Sequence, residues 1–322
     1  MTTEELNAYI ARMFGMSDSV IDQMNGHVDR EMILLYKKNL KDVQSKLAKM
    51  YENFGDNVTL ADMNKYGRLK ALQDRIKEQI TDLGKEVKKM VTGSVKDNFS
   101  EAYYHAGYAM ETPVNINLGF SGLNPDTVRA AVINPYDAIK WPERLAGNLG
   151  TLNRHIKESV TRGLIQGDGY AKTARAVRDS IERSAYESKR IIWTESHRAK
   201  SMGRNLAFEK SQEAGEILGI EVKKIWDATL DSRTRPEHGR LDGKAAKEVD
   251  EEFIWKFSDG VTTRGPSLSG VAKHDIQCRC NTFTQVGDIK PDFRRDNMAK
   301  KEIPYTDYEE WAKNNGINMC KN

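Results

Sequence analysis

Cysteine is scarce in this sequence: three residues among 322, and two of them stand in the short pattern Cys278-Arg279-Cys280. A low and odd cysteine count argues against a disulfide framework and favours a reducing compartment. No apolar run reaches the roughly 18 residues that a membrane-spanning helix requires. The first residues carry early acids in place of the apolar segment of a signal peptide. We therefore expect a soluble protein that is made in the cytoplasm and has no membrane partner.

A strong charge of one sign is also missing. The 50 basic and 47 acidic residues leave a net charge of +3, which does not by itself indicate a nucleic-acid-binding protein. The distribution is uneven, because residues 154–204 hold 12 lysines and arginines against 6 acidic residues. The basic excess is therefore concentrated in the middle of the chain.

Helical periodicity dominates the first two thirds of the chain. Apolar residues recur at steps of three and four within residues 30–51 and again within residues 69–90, which is the pattern of amphipathic helices. The short polar connection between them predicts a helical hairpin, and Gly93 is the predicted end of its second helix. Residues 170–218 are so long a helical segment that we expect two helices, with a break near Ser184.

The pattern changes after residue 220. Strand-like alternation within residues 221–230, 251–257 and 278–286 is separated by glycine-containing turns. Beyond these strands, Thr306 is the predicted cap of one short helix. The sequence therefore predicts a mainly α-helical N-terminal domain, with long helices and a helical hairpin, followed by a small α+β C-terminal domain with a few short antiparallel strands. The predicted boundaries are residues 1–220 for the helical domain, 221–289 for the α+β domain, and 290–322 for a charged tail with one short helix.

A loop rich in charge, TLDSRTRPEHGRLDG, occupies residues 229–243; we call it the charged loop. Thr234 and Glu237 have the spacing of a capping box, and Pro236 suits the first turn of a helix. A one-turn helix here would present His238 and the neighbouring arginines on a rigid support. The alternative is that these charges are solvated or pair with one another, since clusters of surface charge seldom mark a site.

Four side chains with metal-binding groups lie on the charged loop and on the later segment KHDIQCRC: His238, His274, Cys278 and Cys280. Two imidazoles and two thiolates form a set that Zn²⁺ binds in a tetrahedron, and a small domain with a thin core gains stability from a metal. The two cysteines are closer in sequence than in the common zinc knuckle. The alternative is that both thiols are small core hydrophobes and that His238 bonds to a backbone carbonyl.

Basic residues of the middle segment lie on predicted helices, where they are suited to contact phosphate groups without sequence preference. Acidic residues between them favour the alternative of an ordinary solvated helix face. Arg198, Lys200 and Arg204 continue the same segment. The candidates for DNA binding, which we call the basic stripe, are Lys172, Arg175, Arg178, Arg183, Lys189 and Arg190.

The order of residues from Trp226 to Gly243, closing on Cys278-Arg279-Cys280, resembles the phage Mu protein F-like family. These are minor head, or head morphogenesis, proteins of tailed phages and prophages. Many relatives have Cys-x₂-Cys where this chain has Arg235 to His238, so one potential thiolate ligand is an arginine here. A Cys-rich metal site of the family therefore cannot be copied intact onto this chain.

The resemblance implies a non-enzymatic minor capsid protein of the virion, located at the portal vertex and in the capsid interior. Its implied partners are the phage portal protein, the major capsid or scaffolding protein, and packaged double-stranded DNA bound without sequence preference. The implied roles are assembly and the packaging, delivery or ejection of DNA. Some relatives carry toxin domains after this module, whereas 35 residues follow Gly287 here, too few for an independent catalytic domain.

Two other functions are compatible with the residues. A metal-dependent nuclease, or another phosphate-directed enzyme, would be centred on His238 and His274. A DNA-binding accessory protein without a capsid role would depend on the basic stripe alone. The resemblance itself requires one geometric outcome, namely that the charged loop bearing His238 lies beside the segment bearing Cys278.

Overall fold

The computed structural model of the protein describes residues 2–113, 120, 122–133, 140–288 and 290–317. The prediction of long N-terminal helices followed by a few short antiparallel strands is confirmed. The helices are α1 (Thr3–Phe54), α2 (Leu60–Asn64), α3 (Arg68–Glu111), α4 (Pro125–Ile133), α5 (Trp141–Gln166), α6 (Tyr170–Leu218), α7 (Pro236–Gly239), α8 (Ala272–Asp275) and α9 (Tyr308–Asn314), with a 3-10 turn at Lys65–Gly67. The strands are β1 (Val222–Asp227), β2 (Lys247–Val249), β3 (Glu252–Lys256), β4 (Thr262–Thr263), β5 (Asn281–Val286), β6 (Phe293–Asp296) and β7 (Lys301–Pro304).

The chain forms two compact units. The first unit contains Met1–Met24, Ser94–Ala138 and Trp193–Asn322, and the second contains Asn25–Gly93 and Ile139–Ile192. Helices α1, α3 and α6 contribute residues to both units, so the units are not continuous in sequence. The division into residues 1–220, 221–289 and 290–322 follows the sequence pattern and stays a prediction.

The second unit is a helical bundle in which buried hydroxyl groups link the helices. Asn39 of α1 and Gln79 of α3 each donate a side-chain amide to the other's backbone carbonyl, both at 3.4 Å, as a hairpin of these helices allows. The Tyr36 hydroxyl of α1 lies 2.7 Å from Ser188 Oγ and 3.4 Å from Ser184 Oγ of α6. The predicted break near Ser184 is wrong, because this small polar residue is a buried bonding partner within one continuous helix.

The predicted end of the second hairpin helix at Gly93 is also wrong. Helix α3 continues to Glu111 because its apolar stripe continues, with Val91, Val95 and Phe99 all buried. Glycine inside a helix costs only about 1 kcal/mol relative to alanine, so packing outweighs it.

The core of the first unit contains two apolar clusters. One surrounds Trp226, with Trp255, Cys278, Tyr308 and Trp311 among its buried members. The other joins the start of α1, the end of α3 and the end of α6 to strand β5, whose Val286 is buried in it. The two clusters lie on the antiparallel pair β1–β5, in which Val222 faces Val286 and Asp227 faces Asn281.

The segment after residue 290 is more ordered than a charged tail. Strands β6 and β7 pair antiparallel, which the sequence did not predict. Helix α9 follows as predicted, but its cap is Asp307 rather than Thr306, because Asp307 Oδ1 accepts the Glu310 backbone N–H at 2.9 Å. Tyr308 and Trp311 of this helix are fully buried against the Trp226 cluster, so the segment is part of the core of the first unit.

Candidate functional site

The charged loop is held by hydrogen bonds among its own residues and to the segment around Cys278. The predicted capping box at Thr234 is wrong, because this hydroxyl donates to the Thr229 carbonyl at 2.6 Å and α7 has no side-chain cap. Asp231 accepts two hydrogen bonds from Arg279, at 2.7 and 3.0 Å. Burial would raise the pKa of Asp231, but the bonds and charge of Arg279 outweigh it and lower that pKa.

The loop brings His238 against both thiols. His238 Nδ1 lies 3.5 Å from Cys278 Sγ and 3.7 Å from Cys280 Sγ, and all three residues are buried. We call these residues the thiol cluster. The expectation that the charged loop lies beside the Cys278 segment is thereby confirmed, although the strand begins at Asn281 rather than at Cys278.

The spacing inside the thiol cluster fits a tetrahedral zinc ion. Zn–N bonds of about 2.0–2.1 Å and Zn–S bonds of about 2.3 Å place a nitrogen and a sulfur ligand about 3.6 Å apart at the tetrahedral angle. The two distances from His238 Nδ1 bracket this value. A hydrogen bond with the Cys280 thiol, and then the nearby His238, hold the pKa of Cys278 well below its ordinary value despite burial. The same hydrogen bond, and then burial, raise the pKa of Cys280 well above its ordinary value. The cluster therefore offers one imidazole nitrogen and two sulfur atoms to a metal ion.

His274 lies in a different group. Its Nε2 is 3.0 Å from Asp259 Oδ2, and its Nδ1 is 3.6 Å from Glu237 Oε2, while its ring stacks on Phe257 with centroids 4.0 Å apart. We call Glu237, Asp259 and His274 the carboxylate cluster. The structure thus brings together three of the four predicted ligands and places the fourth with carboxylates.

Arg235, the residue before α7, is bonded to the segment at the end of α8. Its guanidinium donates to the Ile276 carbonyl at 2.6 Å and to the His274 carbonyl at 3.3 Å. These bonds tie the start of α7 to the end of α8. In this chain the arginine therefore links, without a metal, the two segments that carry the candidate ligands.

Sequence reasoning missed two residues of the first unit, His197 and Arg294. His197 of α6 has Nδ1 3.1 Å from Ser267 Oγ, and burial lowers its pKa to about 4, so its ring is neutral at pH 7. Arg294 of β6 is buried between Asp227 and Asp242, at 2.6 and 2.5 Å. In the sequence, neither residue belongs to the charged loop or adjoins the cysteines, so no local spacing pointed to them.

The basic stripe is partly neutralised. Arg175 and Arg183 are exposed on α6. The other four members have acidic partners in the same unit: Lys172 with Asp168 at 2.7 Å, Arg178 with Asp179 at 3.2 Å, Lys189 with Asp29 at 2.8 Å, and Arg190 with Glu187 at 2.8 Å. The surface pairs still offer mobile cations, because exposed ion pairs are weak.

The three basic residues that follow the stripe do not face solvent. Arg198, Lys200 and Arg204 are buried. Arg204 and Lys200 both pair with Asp18 of α1, Arg204 at 2.6 Å. Lys200 and Arg204 therefore link α6 to α1, and none of the three residues lies on an exposed surface that could contact phosphate groups.

Comparison with known proteins shows which proteins this chain resembles. Residues 154–283 match the family described as Phage Mu protein F like protein. Minor head protein GP7 of Bacillus phage SPP1 is 30% identical over 318 residues, which cover 96% of this chain and 97% of that protein. NAD(+)--arginine ADP-ribosyltransferase EFV of Enterococcus faecalis is 31% identical over 283 residues, or 88% of this chain, and the chain spans 56% of that relative's length. No solved structure matches the chain.

Two further observations bear on the class of protein. Within the part of the chain that the structure describes, no helix is both long enough and apolar enough to cross a bilayer. The similarity to a minor head protein extends over nearly all of both chains. The chain therefore belongs to the Phage Mu protein F like family of phage minor head proteins.

Proposed function

We propose that this protein is a non-enzymatic minor capsid protein located at the portal vertex and in the capsid interior of a tailed phage. It aids head assembly and the packaging, delivery or ejection of DNA. The observation that carries the proposal is the 96% and 97% coverage in the comparison with minor head protein GP7. A similarity that spans both chains supports a shared role more strongly than a match to one module would.

The construction of the first unit supports a structural role. Two charged residues of the charged loop bind within the protein: Asp231 accepts hydrogen bonds from Arg279, and Arg235 donates to carbonyls of the segment around α8. His238 is 1% exposed and faces two buried thiols. Side chains that are hydrogen-bonded within the protein stabilise a loop and are poorly placed to act on a substrate.

Docking to the portal protein and to the major capsid or scaffolding protein is proposed for the N-terminal helices. Ile33 and Leu34 of α1 are 45% and 64% exposed, and exposed apolar side chains of this size are suited to protein contacts. Changing both to aspartate should leave the monomer folded and weaken its co-purification with portal protein. Undiminished co-purification would remove these residues from the interface.

DNA contact is proposed for the basic stripe, with Arg175 and Arg183 as its best-placed members because both are exposed on the same helix. The interior of a filled head is crowded with phosphate, so sequence-independent contacts suit such a protein. A protein that only binds DNA, without a capsid role, would show the same salt-dependent affinity. The two functions differ in particle assembly, which would be unchanged by deletion of a mere accessory protein.

Zinc is proposed for the thiol cluster, held by His238 Nδ1 and the two thiolates. When bound, the ion would crosslink the charged loop to the segment before β5 and stabilise the small domain. The proposal is supported by donor spacing and burial. His274 is placed for the carboxylate cluster instead.

The function is tested by following the protein through particle assembly. Purified procapsids and virions of the parent phage should contain a few copies per particle, detected by quantitative mass spectrometry. Deletion should lower the yield of infectious particles or the delivery of DNA. Absence of the protein from both kinds of particle would refute the proposal.

An enzymatic alternative is carried by one observation: the carboxylate cluster combines a histidine with two carboxylates that could hold a divalent ion. A nuclease centred there would cleave plasmid DNA with Mg²⁺, Mn²⁺ or Zn²⁺ and lose this activity in His274→Ala and not in His238→Ala. The name of the E. faecalis relative adds a second assay, transfer of labelled ADP-ribose from NAD⁺ to arginine. Inactivity in both assays favours the structural role.

A further inference from the structure

We propose that His197 supplies the fourth ligand of the zinc site that His238, Cys278 and Cys280 begin. The inference rests on the proposed zinc site and deepens it, because a buried structural zinc takes four protein ligands. Three donors converge in the thiol cluster, and His274 is engaged by Asp259 and Glu237. A fourth donor must therefore come from another element of the first unit.

The protonation of His197 follows from its hydrogen bonds. Ser267 Oγ lies 3.1 Å from His197 Nδ1 and donates its single proton to the Asp275 carbonyl, also at 3.1 Å. A serine hydroxyl has one proton, so toward the imidazole it acts as an acceptor and Nδ1 must carry the ring's proton. The lone pair of the neutral ring is then on Nε2. That atom is buried and has no hydrogen-bond partner in the described part of the chain.

This arrangement is the one that metal-binding histidines adopt. A ligating imidazole donates its second N–H to an oxygen, which fixes both the tautomer and the orientation of the ring. Ser267 supplies that oxygen here, and its bond to the Asp275 carbonyl fixes the serine in turn. A buried nitrogen lone pair without a partner is otherwise costly, and a metal ion would satisfy it.

The position of His197 is next to the segment that carries the thiols. The Asp275 carbonyl that accepts from Ser267 also accepts the Cys278 backbone N–H, at 3.2 Å. One turn earlier on α6, Thr194 Oγ1 accepts the Gln277 backbone N–H at 3.5 Å. The face of α6 with Thr194 and His197 therefore packs on the turn that leads into Cys278.

The donors of the thiol cluster lie within 4.8 Å of one another, and His197 does not belong to that group. The proposal consequently implies that the ring moves toward the ion when zinc binds. Three of the four ligands would be close together before zinc binds.

The test uses the purified full chain, loaded with Zn²⁺ or Co²⁺. We expect one zinc per chain by elemental analysis and the intense visible absorption of four-coordinate Co²⁺. His197→Gln should lower the zinc affinity, measured against a chromophoric chelator, at least tenfold and weaken the Co²⁺ absorption. His27→Gln, the same change at a histidine of α1 whose side chain is 64% exposed, should leave both unchanged.

Two further variants keep the test decisive if His197→Gln folds poorly. His197→Cys restores a donor and should regain stoichiometric zinc, and Ser267→Ala should weaken zinc binding by roughly tenfold or more, as loss of an orienting partner does. Wild-type affinity in His197→Gln or Ser267→Ala, with zinc lost in Cys278→Ser, would overturn the role of His197 alone. Folded wild-type protein without zinc would overturn the zinc site, and with it this inference, while leaving the head-protein function standing.

Discussion

Replacing Asp242 by alanine should unfold the first unit or destabilise it severely. The Asp242 side chain is 1% exposed. Its carboxylate accepts the Arg294 guanidinium at 2.5 Å, the Ala228 backbone N–H at 2.7 Å and the Tyr308 backbone N–H at 2.7 Å. These donors come from three parts of the chain, so one carboxylate joins the strand β1 region, the charged loop, and strand β6 with helix α9.

The magnitude follows from what the substitution leaves behind. Two buried backbone N–H groups lose their acceptor, at about 1–3 kcal/mol each, and breaking a buried ion pair costs about 3–5 kcal/mol. Arg294 retains Asp227 at 2.6 Å, so the lower ends of these ranges apply. The result is a loss of about 5 kcal/mol, which approaches the whole free energy of unfolding of a marginally stable domain.

Urea unfolding monitored by tryptophan fluorescence measures this loss, because Trp226, Trp255 and Trp311 lie in one buried cluster of the first unit. Asp288→Ala is the matched control. Asp288 also pairs with a basic residue, Lys223, but its side chain is 89% exposed, so we expect a change within about 0.5 kcal/mol. If Asp242→Ala lowered the free energy of unfolding by less than about 1 kcal/mol, the carboxylate would not hold these segments together.

Three further outcomes are expected. The double change Arg175→Glu and Arg183→Glu should weaken binding to double-stranded DNA and reduce the salt slope of log affinity by about two, whereas Lys247→Glu on β2 should have little effect. Burial lowers the pKa of Lys224 to about 7, below the ordinary value of about 10.4. Between these two values the unfolded chain holds a proton that the folded chain has lost, so the free energy of unfolding should rise from pH 7 to pH 10. The rise should be smaller in Lys224→Met. Ending the chain after residue 289 should expose the Trp226 cluster and give insoluble or unfolded protein.

Each of these outcomes has a result that contradicts it. Equal DNA affinity and equal salt slope in the arginine double variant would remove the basic stripe from DNA binding. A stability profile of Lys224→Met parallel to that of the wild type between pH 7 and pH 10 would mean that this ammonium stays protonated in the folded chain. A soluble truncated chain with an unchanged melting temperature would show that the last strands and α9 are dispensable.

The long helices were predictable because each has a continuous apolar stripe. The sequence does not show where an apolar stripe, and with it the helix, continues past a residue that usually ends a helix. Gly93 and Ser184 are ordinary helix-ending signals, yet each lies within a helix, because neighbouring residues of the stripe are buried and Ser184 bonds to Tyr36. Tertiary packing decides such positions, and local pattern does not report it.

The candidate site was predictable only where the motif is local. The charged loop and the two cysteines were found from residue order, and the structure places His238 against both thiols. His274 was chosen for its chemistry, but an imidazole near a thiol segment can be turned toward carboxylates, as Asp259 shows. His197 was missed because it lies on a long helix about eighty residues from Cys278 in sequence, a separation that no spacing rule covers.

The charged loop acts through internal links rather than through exposed charge. Asp231 accepts a hydrogen bond from Arg279, Asp242 accepts one from Arg294, and Arg235 donates one to the Ile276 carbonyl. Each of these charged side chains therefore joins the loop to a distant part of the chain. Buried ion pairs of this kind add little net stability over apolar packing, but they are costly to break, because the surviving partner is left without compensation. An opened state of the loop that separates Asp242 from Arg294 leaves a buried charge without its partner, so these links favour one conformation of the loop.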